Sequence, residues 1–416
     1  MVAPGVTLSL ERRAARWGDR TAVVDVSEGR LCAPAETIDA DRVSYDDLST
    51  AAAGVAARLA GRGIDAGDTV CVCTRDRVAA LATLFACRRL GATFAPVSHR
   101  LTPATVSRPL DALDPDLVVY EPAQRDLVRD LPPARTSGFG DLDDVDPESV
   151  DSPSPADSGP LLALHGEPGT PVVAFSAEAV ERNCVAAVAT WGFGPDDVAM
   201  PFVPLSTPDG LLRAALPTLY VGGTVLLDRA FDPGDALTAV GREGATVLVG
   251  RAAAFRDLAA EGPGDDLGSV AWGVCEAPLP EAVRNPYLER GVPLVRAYGR
   301  VECPTACCQS RAACDREGVG RPILDCEARL VDDGELREGA AEGTLELSGP
   351  VLADGYVEGG DAADERVETA EVAEGRTAGD VAAASAGERP AGAFVDGRFD
   401  TGERFRRDER GEYRRA

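Results

Sequence analysis

Five of the 11 cysteines, Cys303, Cys307, Cys308, Cys314 and Cys326, lie within 24 residues. Thiolates at that density could hold zinc or an iron–sulfur cluster, with Cys303, Cys307, Cys308 and Cys314 as the candidate ligands. No C-x-x-C pair occurs among them, and cysteine is also a common small core residue, so packing is the expected outcome. His165 sits where Leu161–Val172 passes from a strand into a glycine loop around Gly166 and Gly169. A lone general base there lacks a nucleophile in a G-x-S-x-G setting, which makes a loop histidine the plainer expectation. His99, ahead of Arg100-Leu101-Thr102-Pro103, reads as a turn residue. Near the end, Arg404, Arg406, Arg407, Arg410, Arg414 and Arg415 alternate with Glu403, Asp408, Glu409 and Glu412. That pattern is a charged β-hairpin or, in the functional alternative, a docking surface for an acidic partner.

Composition removes several chemistries. The 416 residues hold 42 basic side chains against 69 acidic ones, a formal charge of −27, and none of the 42 is lysine. Schiff-base chemistry and lysine-dependent phosphate chemistry are therefore closed to these residues, and two histidines cannot build a His-rich metal cage. So negative a chain repels nucleic acid and anionic membranes. Acid excess without lysine fits a cytoplasm kept at high salt, where the Debye length is only a few ångströms. A GC-rich genome that trades Lys codons for Arg would look similar. No signal-peptide stretch precedes Glu11, and the longest apolar run, Ala214–Leu227, contains Pro217 and two glycines. Such a run is too short to cross a bilayer, so a cytoplasmic location with reduced thiols is expected.

The elements that must position these residues alternate between strand and helix. Ser44-Tyr45-Asp46-Asp47 predicts an N-cap with an acid three residues on, opening a helix that ends near Gly61–Gly63. Strands follow at 68–73, 93–96 and 116–120, with helices over 79–90 and after Thr102-Pro103. A second set includes helices over 176–191 and 232–243 and strands at 224–227 and 246–249. Strand–helix alternation at this spacing implies right-handed crossovers and mostly parallel sheets. After Gly318 short strands and turns predict a small antiparallel unit. The expected organisation is a first α/β subdomain over 1–140, an acidic linker over 141–159, a second α/β subdomain over 160–315, and a β subdomain over 316–416. Residues 361–390 read as a solvated, mobile insertion within the last.

Taken in order, several segments resemble the adenylate-forming superfamily of acyl-CoA synthetases, adenylation domains and luciferases. They are LALHGEPGTPV, FACRRLGATFAPVSHRLTP, LLRAALPTLYVGGTVLL, EAPLPEAV, ERGVPLVRAYGRVE, GTLELSGPVLADGY and DGRFDTGERFRRDERGEY. The resemblance covers essentially the whole chain. It implies two stacked, mostly parallel sheets with helices plus a smaller β-barrel-like subdomain. It also implies a family reaction: a carboxylate is coupled to AMP from ATP, and the acyl group then passes to a thiol.

Site residues are carried over by matching motifs. Tyr298-Gly299-Arg300-Val301-Glu302 is similar to Y-G-x-T-E, which implies Tyr298 on adenine and Glu302 on Mg2+, while Val301 lacks the Thr hydroxyl. Thr401-Gly402-Glu403 is similar to T-G-D and implies Glu403 on the ribose, one methylene longer. The family phosphate loop, T-S-G-T-T-G-x-P-K, retains Gly166, Gly169 and Pro171. Its hydroxyl positions have become Leu164, His165, Glu167 and Pro168, and its lysine position is Val172. A carboxylate beside the triphosphate costs on the order of 1 kcal/mol, and Pro168 removes a donor, so weak phosphate binding is expected. Ser206 and Thr207 replace an aromatic-His pair near the acyl pocket. Cys275 and Glu276 replace the Gly-Gly before Ala277-Pro278-Leu279. The chain stops at Ala416, where the resemblance places a hinge before a C-terminal domain carrying the adenylation lysine. Arg300 is the nearest surrogate charge, with a solvated loop arginine as its alternative.

Three functions remain open: a weakened ligase completed by a separate C-terminal domain, a pseudoenzyme sensing a nucleotide or acyl ligand, and an interaction subunit of a homologous ligase. The resemblance implies ATP or AMP and Mg2+ as cofactors and a small carboxylic acid or acyl-adenylate as partner; a role for CoA is left open.

Overall fold

The computed structural model describes residues 8–27, 41–75, 77–148, 158–262, 264–357 and 394–416. The insertion expected over 361–390 and the stretch 149–157 of the expected linker lie outside the described residues.

Local signals produce the elements much as their spacing predicts. Ser44 caps the Tyr45–Gly61 helix in a reciprocal capping box with Asp47, its hydroxyl accepting from the Asp47 amide while the Asp47 carboxylate accepts from the Ser44 amide. Two helix-end donors are thereby satisfied. Ser44→Ala should lower stability by about 1 kcal/mol, read as a fall in the urea midpoint at unchanged slope; no shift would mean that solvent replaces the cap. The Val78–Leu90 helix is apolar nearly all round, as a helix packed on every side must be, and stops at Gly91 with φ 78°. In the strand Thr69–Thr74, Cys71 and Cys73 face one apolar cluster and Val72 another, so their alternation is strand packing.

Three sheets result. The first has seven strands in the order 355–356, 172–175, 162–165, 93–98, 69–74, 117–120 and 136–138, parallel through its centre. The second has nine, in the order 321–322, 303–308, 294–300, 272–275, 247–250, 198–201, 224–227, 21–25 and 42–44, again parallel except at its ends. The third is antiparallel, built from 335–337, 327–332, 341–348, 398–407 and 394–395, with 413–415 alongside 398–407. One apolar cluster runs from the first sheet through the Tyr45–Gly61 and Val78–Leu90 helices to the second sheet, making a layered core.

Some expectations need correction. The sheets ignore the divisions at 140 and 160: Thr21–Asp25 pairs with Thr224–Leu227 of the second sheet, and Leu162–His165 joins the first sheet beside Thr93–Ser98. Residues 141–143 are helical rather than linker, because Phe139 and Leu142 bury against the core and Asp141 accepts from the Gly138 amide. After Thr102-Pro103 the chain first closes a turn, Thr105 N donating to Thr102 O, and the helix begins only at Ser107. No helix among the described residues is long and apolar enough to cross a membrane.

Candidate functional site

The site is organised by the antiparallel hairpin of Leu294–Arg300 and Cys303–Cys308, whose register shifts between Tyr298 and Arg300. Gly299 sits in that irregularity: a Cβ there would lie 2.0 Å from the Pro304 carbonyl oxygen and 2.7 Å from Arg213 Nη2. Only glycine allows so close an approach, and the irregularity re-aims the flanking side chains. Arg213 lies in the π-helical turn Asp209–Ala215 and clamps the hairpin from outside. Its Nε donates to Thr305 Oγ1 at 2.8 Å, Nη2 donates to Pro304 O, and Nη1 pairs with Asp209 at 2.5 Å.

Arg300 is not a solvated loop arginine. Its Nε reaches Glu302 Oε2 at 3.4 Å, and its Nη1 reaches Glu403 Oε1 at 3.2 Å and Thr401 O at 3.1 Å. Burial works against the guanidinium charge, yet Glu302, Tyr298 and Glu403 outweigh it and hold the pKa above its ordinary value. Glu302 itself is fully buried. Its Oε1 accepts from the Tyr356 hydroxyl at 2.9 Å, and its backbone carbonyl accepts from Ala353 N. The Gly355–Tyr356 strand pairs with Val172–Phe175, so Tyr356 ties the glycine-loop hairpin to Glu302. Glu403 is fixed from below, its amide donating to Thr401 Oγ1, which in turn donates to Leu345 O. Arg415 pairs with Glu403 Oε2 at 2.9 Å while its guanidinium lies 5.5 Å from the Tyr298 ring centre. Phe405 meets the same ring edge-on at 4.9 Å, leaving Tyr298 4% exposed. Burial, with Glu403 adding to it, pushes the Tyr298 phenol well above its usual range. The Arg415 side chain that lies over the ring is itself two thirds exposed.

The glycine loop is a closed turn. Gly166 N donates to Pro171 O at 2.8 Å and Gly169 N to Gly166 O at 2.7 Å, so both glycine amides are engaged inside the loop. Gly169 has φ 112° and faces Pro109 and Thr105, which leaves no room for a side chain. Glu167 makes a two-point pair with Arg251, at 2.6 and 3.1 Å, and those hydrogen bonds hold its carboxyl below the usual range. Glu276 accepts from Ala252 N at the start of the Ala252–Glu261 helix, with Arg251 as the preceding residue. Val172 is buried among Cys71, Cys73, Ala95 and Val97. His165 is not poised as a base. Its Nδ1 donates to Gly166 O and its Nε2 accepts from Ser98 N, while burial lowers its pKa and keeps it neutral.

Four of the five cysteines, Cys303, Cys307, Cys308 and Cys326, pack within one apolar core cluster. Cys303, Cys307 and Cys308 are buried, burial raises the pKa of Cys307 and Cys308, and Cys314 follows the Arg311–Ala313 turn. Cys303 and Cys326 approach to 4.0 Å, and their contact keeps Cys303 a neutral thiol. Among the described residues no three His, Cys, Asp or Glu side chains gather as metal ligands, so the zinc or iron–sulfur option loses its geometry. Ser206 borders a small apolar cavity with Val72, Phe94, Leu205 and Leu211, and Thr207 donates to Pro204 O. The structure thus unites Tyr298, Glu302 and Glu403 around Arg300 and keeps the engaged amides of Gly166 and Gly169 on a separate turn. Arg415, Arg251 and Tyr356 were not legible as site residues. Tyr356 lies within a segment that carries the family resemblance, but no local pattern points its hydroxyl at Glu302.

A family model described as AMP-binding enzyme matches residues 10–168 and 172–357. Feruloyl-CoA synthase of Amycolatopsis sp. is 32% identical over 325 residues, which are 76% of this chain and 66% of that protein. The chain therefore matches somewhat under two thirds of that relative's length. Indoleacetate–CoA ligase of Aromatoleum aromaticum is 28% identical over 365 residues, 82% of this chain and 71% of that protein. The fold is similar to that of the N-terminal domain of FACL13 from Mycobacterium tuberculosis, with TM-score 0.80 and 19% identity, each chain covered completely. It is also similar to o-succinylbenzoate CoA synthetase (MenE) from Bacillus subtilis in complex with AMP, with TM-score 0.78, 18% identity, and 100% and 98% of the two chains covered.

Proposed function

The chain belongs to the AMP-binding enzyme family, and from that premise we propose that it binds an adenylate together with a small aromatic carboxylic acid at the cluster of Tyr298, Glu302 and Glu403. The observation that carries this reading is the joining of Glu302 and Glu403 through Arg300, across 103 residues of sequence between Arg300 and Glu403. In it, Tyr298 offers its ring to the base, Glu403 accepts from the ribose hydroxyls, and Arg300 faces the phosphate. The aromatic class follows from relatives named for feruloyl and indoleacetate acyl groups.

The family reaction is ATP-dependent activation of a carboxylic acid to an acyl-adenylate and then a thioester. We read it as weakened here. The loop amides are engaged internally, Glu167 takes up Arg251, and none of the 416 residues is a lysine. Fixed positive groups at phosphate are usually the largest catalytic contribution, so their loss costs rate before it costs binding. Turnover then needs a lysine from outside these residues. Magnesium does not fit Glu302 as placed, because the carboxylate is buried, both oxygens are taken, and a guanidinium stands beside it.

Calorimetric titration with AMP, ATP and a non-hydrolysable aroyl-adenylate, at low and multimolar salt, tests the binding reading. Micromolar affinity for AMP or the adenylate analogue is expected, with pyrophosphate exchange at background for ferulate and indoleacetate. A chain blind to all three ligands would remove the reading, and exchange well above background would return it to the active ligases.

A further inference from the structure

The disagreement between Glu302 and a metal ion has a consequence for which nucleotide the site takes. Mg2+ requires near-octahedral oxygen ligation at about 2.0–2.1 Å and retains several waters. Glu302 offers no such room. It is 0% exposed, Tyr356 holds one oxygen at 2.9 Å, and Arg300 faces the other at 3.4 Å. A divalent ion on that carboxylate would sit beside a guanidinium in a buried setting, where like charges repel strongly. Among the described residues no set of three acidic, His or Cys side chains supplies an alternative cage.

The charge that a metal would bring is already present. Glu302 and Glu403 face Arg300 and Arg415, two carboxylates against two guanidiniums, so the cluster is balanced without an ion. Arg300 uses Nε and Nη1 for its partners, and its side chain is about one third exposed (32%). Its remaining Nη2 edge is the donor pair left for a ligand, and a planar guanidinium suits phosphate oxygens. One guanidinium edge matches a single phosphoryl charge. The glycine loop offers no second cradle for further phosphates, since the Gly166 and Gly169 amides close their own turn and Glu167 occupies Arg251.

We propose that the site takes adenosine monophosphate or an acyl-adenylate in preference to Mg·ATP and without magnesium, Arg300 standing in for the metal's charge. The proposal rests on the adenylate-binding reading above and adds to it the phosphorylation state, the metal independence and the residue responsible.

The test is calorimetry on the full chain with AMP and with ATP, each in EDTA and in 10 mM MgCl2, for the wild type, Arg300→Gln and Arg300→Lys. For the wild type, AMP affinity should change less than twofold between EDTA and Mg2+, and ATP with Mg2+ should bind at least tenfold more weakly than AMP. Arg300→Gln should lose at least tenfold for AMP in EDTA and regain part of it in Mg2+, because Glu302 is then released toward a cation. Arg300→Lys should retain more affinity than Arg300→Gln. A merely structural Arg300 would lower affinity equally with and without the metal, which would overturn its assignment. Should Arg300→Gln fail to melt cooperatively, Arg300→Lys and the wild-type comparison still decide. Wild-type AMP binding that tightens fivefold or more in Mg2+ would overturn this proposal and leave the adenylate reading standing. Absence of AMP and ATP binding in every buffer would overturn both.

Discussion

Arg77→Met should lower the unfolding free energy by about 3–5 kcal/mol at neutral pH, as expected when one partner of a buried ion pair is removed. Arg77 and Glu121 are 2% and 1% exposed, with Arg77 Nη2 at 2.6 Å from Glu121 Oε1. Arg75 adds a contact at 2.8 Å to the same oxygen, and Thr74 Oγ1 donates to the other at 3.0 Å. These bonds join the ends of strands Thr69–Thr74 and Leu117–Tyr120 in the first sheet, ahead of the buried Val78–Leu90 helix. Methionine fills much of the arginine stem, so the charge is the main thing lost.

The pH dependence has a definite sign. Burial alone would raise the Glu121 pKa, but the hydrogen bonds from Arg77 and Arg75 outweigh it and bring it to about 2, from an ordinary value of 4.5. A carboxyl whose folded pKa is depressed contributes stability that is complete above the unfolded value and is lost as pH falls through the folded one. The wild type should therefore lose this contribution between about pH 5 and pH 2. In Arg77→Met the gap to wild type should shrink below about pH 4, since a protonated Glu121 no longer strands a charge. Urea unfolding followed by tryptophan fluorescence at pH 7, 5, 4 and 3 measures both. A loss under about 1 kcal/mol at pH 7 would show the pair to be solvent-compensated.

The second large effect belongs to Gly299→Ala. Its new methyl would stand 2.0 Å from Pro304 O and 2.5 Å from Pro304 C, both backbone atoms that Arg213 holds in place. Real Cβ atoms do not occupy such distances, so the hairpin must open, and overpacking of that kind costs about 1–3 kcal/mol or more. Because the same hairpin carries Tyr298, Arg300 and Glu302, AMP affinity should fall by more than tenfold. Gly355→Ala is the matched control, since nothing lies within 4 Å of its added Cβ. Melting and calorimetry on the two variants should separate cleanly. Equal behaviour would mean that the Gly299 irregularity does not position the site.

How far the sequence reaches differs between fold and site. Helix starts were legible at Ser44, Ser176 and Asp232 because a cap is a local chemical event, decided within three residues. Tyr298, Glu302 and Glu403 were legible as positions through family resemblance, and they do meet. What Arg300 does was not legible. Its three neighbours come from the turn that follows its strand and from Arg398–Arg407, and only the packing of the third sheet against the hairpin brings Glu403 within 3.2 Å. Glu167 was legible as an obstacle to phosphate, but its partner Arg251 lies 84 residues away, between a strand of the second sheet and the Ala252–Glu261 helix. The cysteines show the opposite case: their closeness in sequence suggested metal ligands, and the structure packs Cys303, Cys307, Cys308 and Cys326 into an apolar core as buried side chains.

By itself the sequence determined the class of the fold, through period-two and period-3.6 patterns that the backbone reads locally. It also determined that these 416 residues supply no lysine to any chemistry. The tertiary structure alone decided that two strands near the N-terminal end complete the second sheet, that the glycine amides turn inward, and that one arginine joins two carboxylates. The physical reason is range. Backbone conformation follows neighbours a few residues apart, whereas an ion pair depends on where separate strands are set down, and that is fixed by the whole packed core.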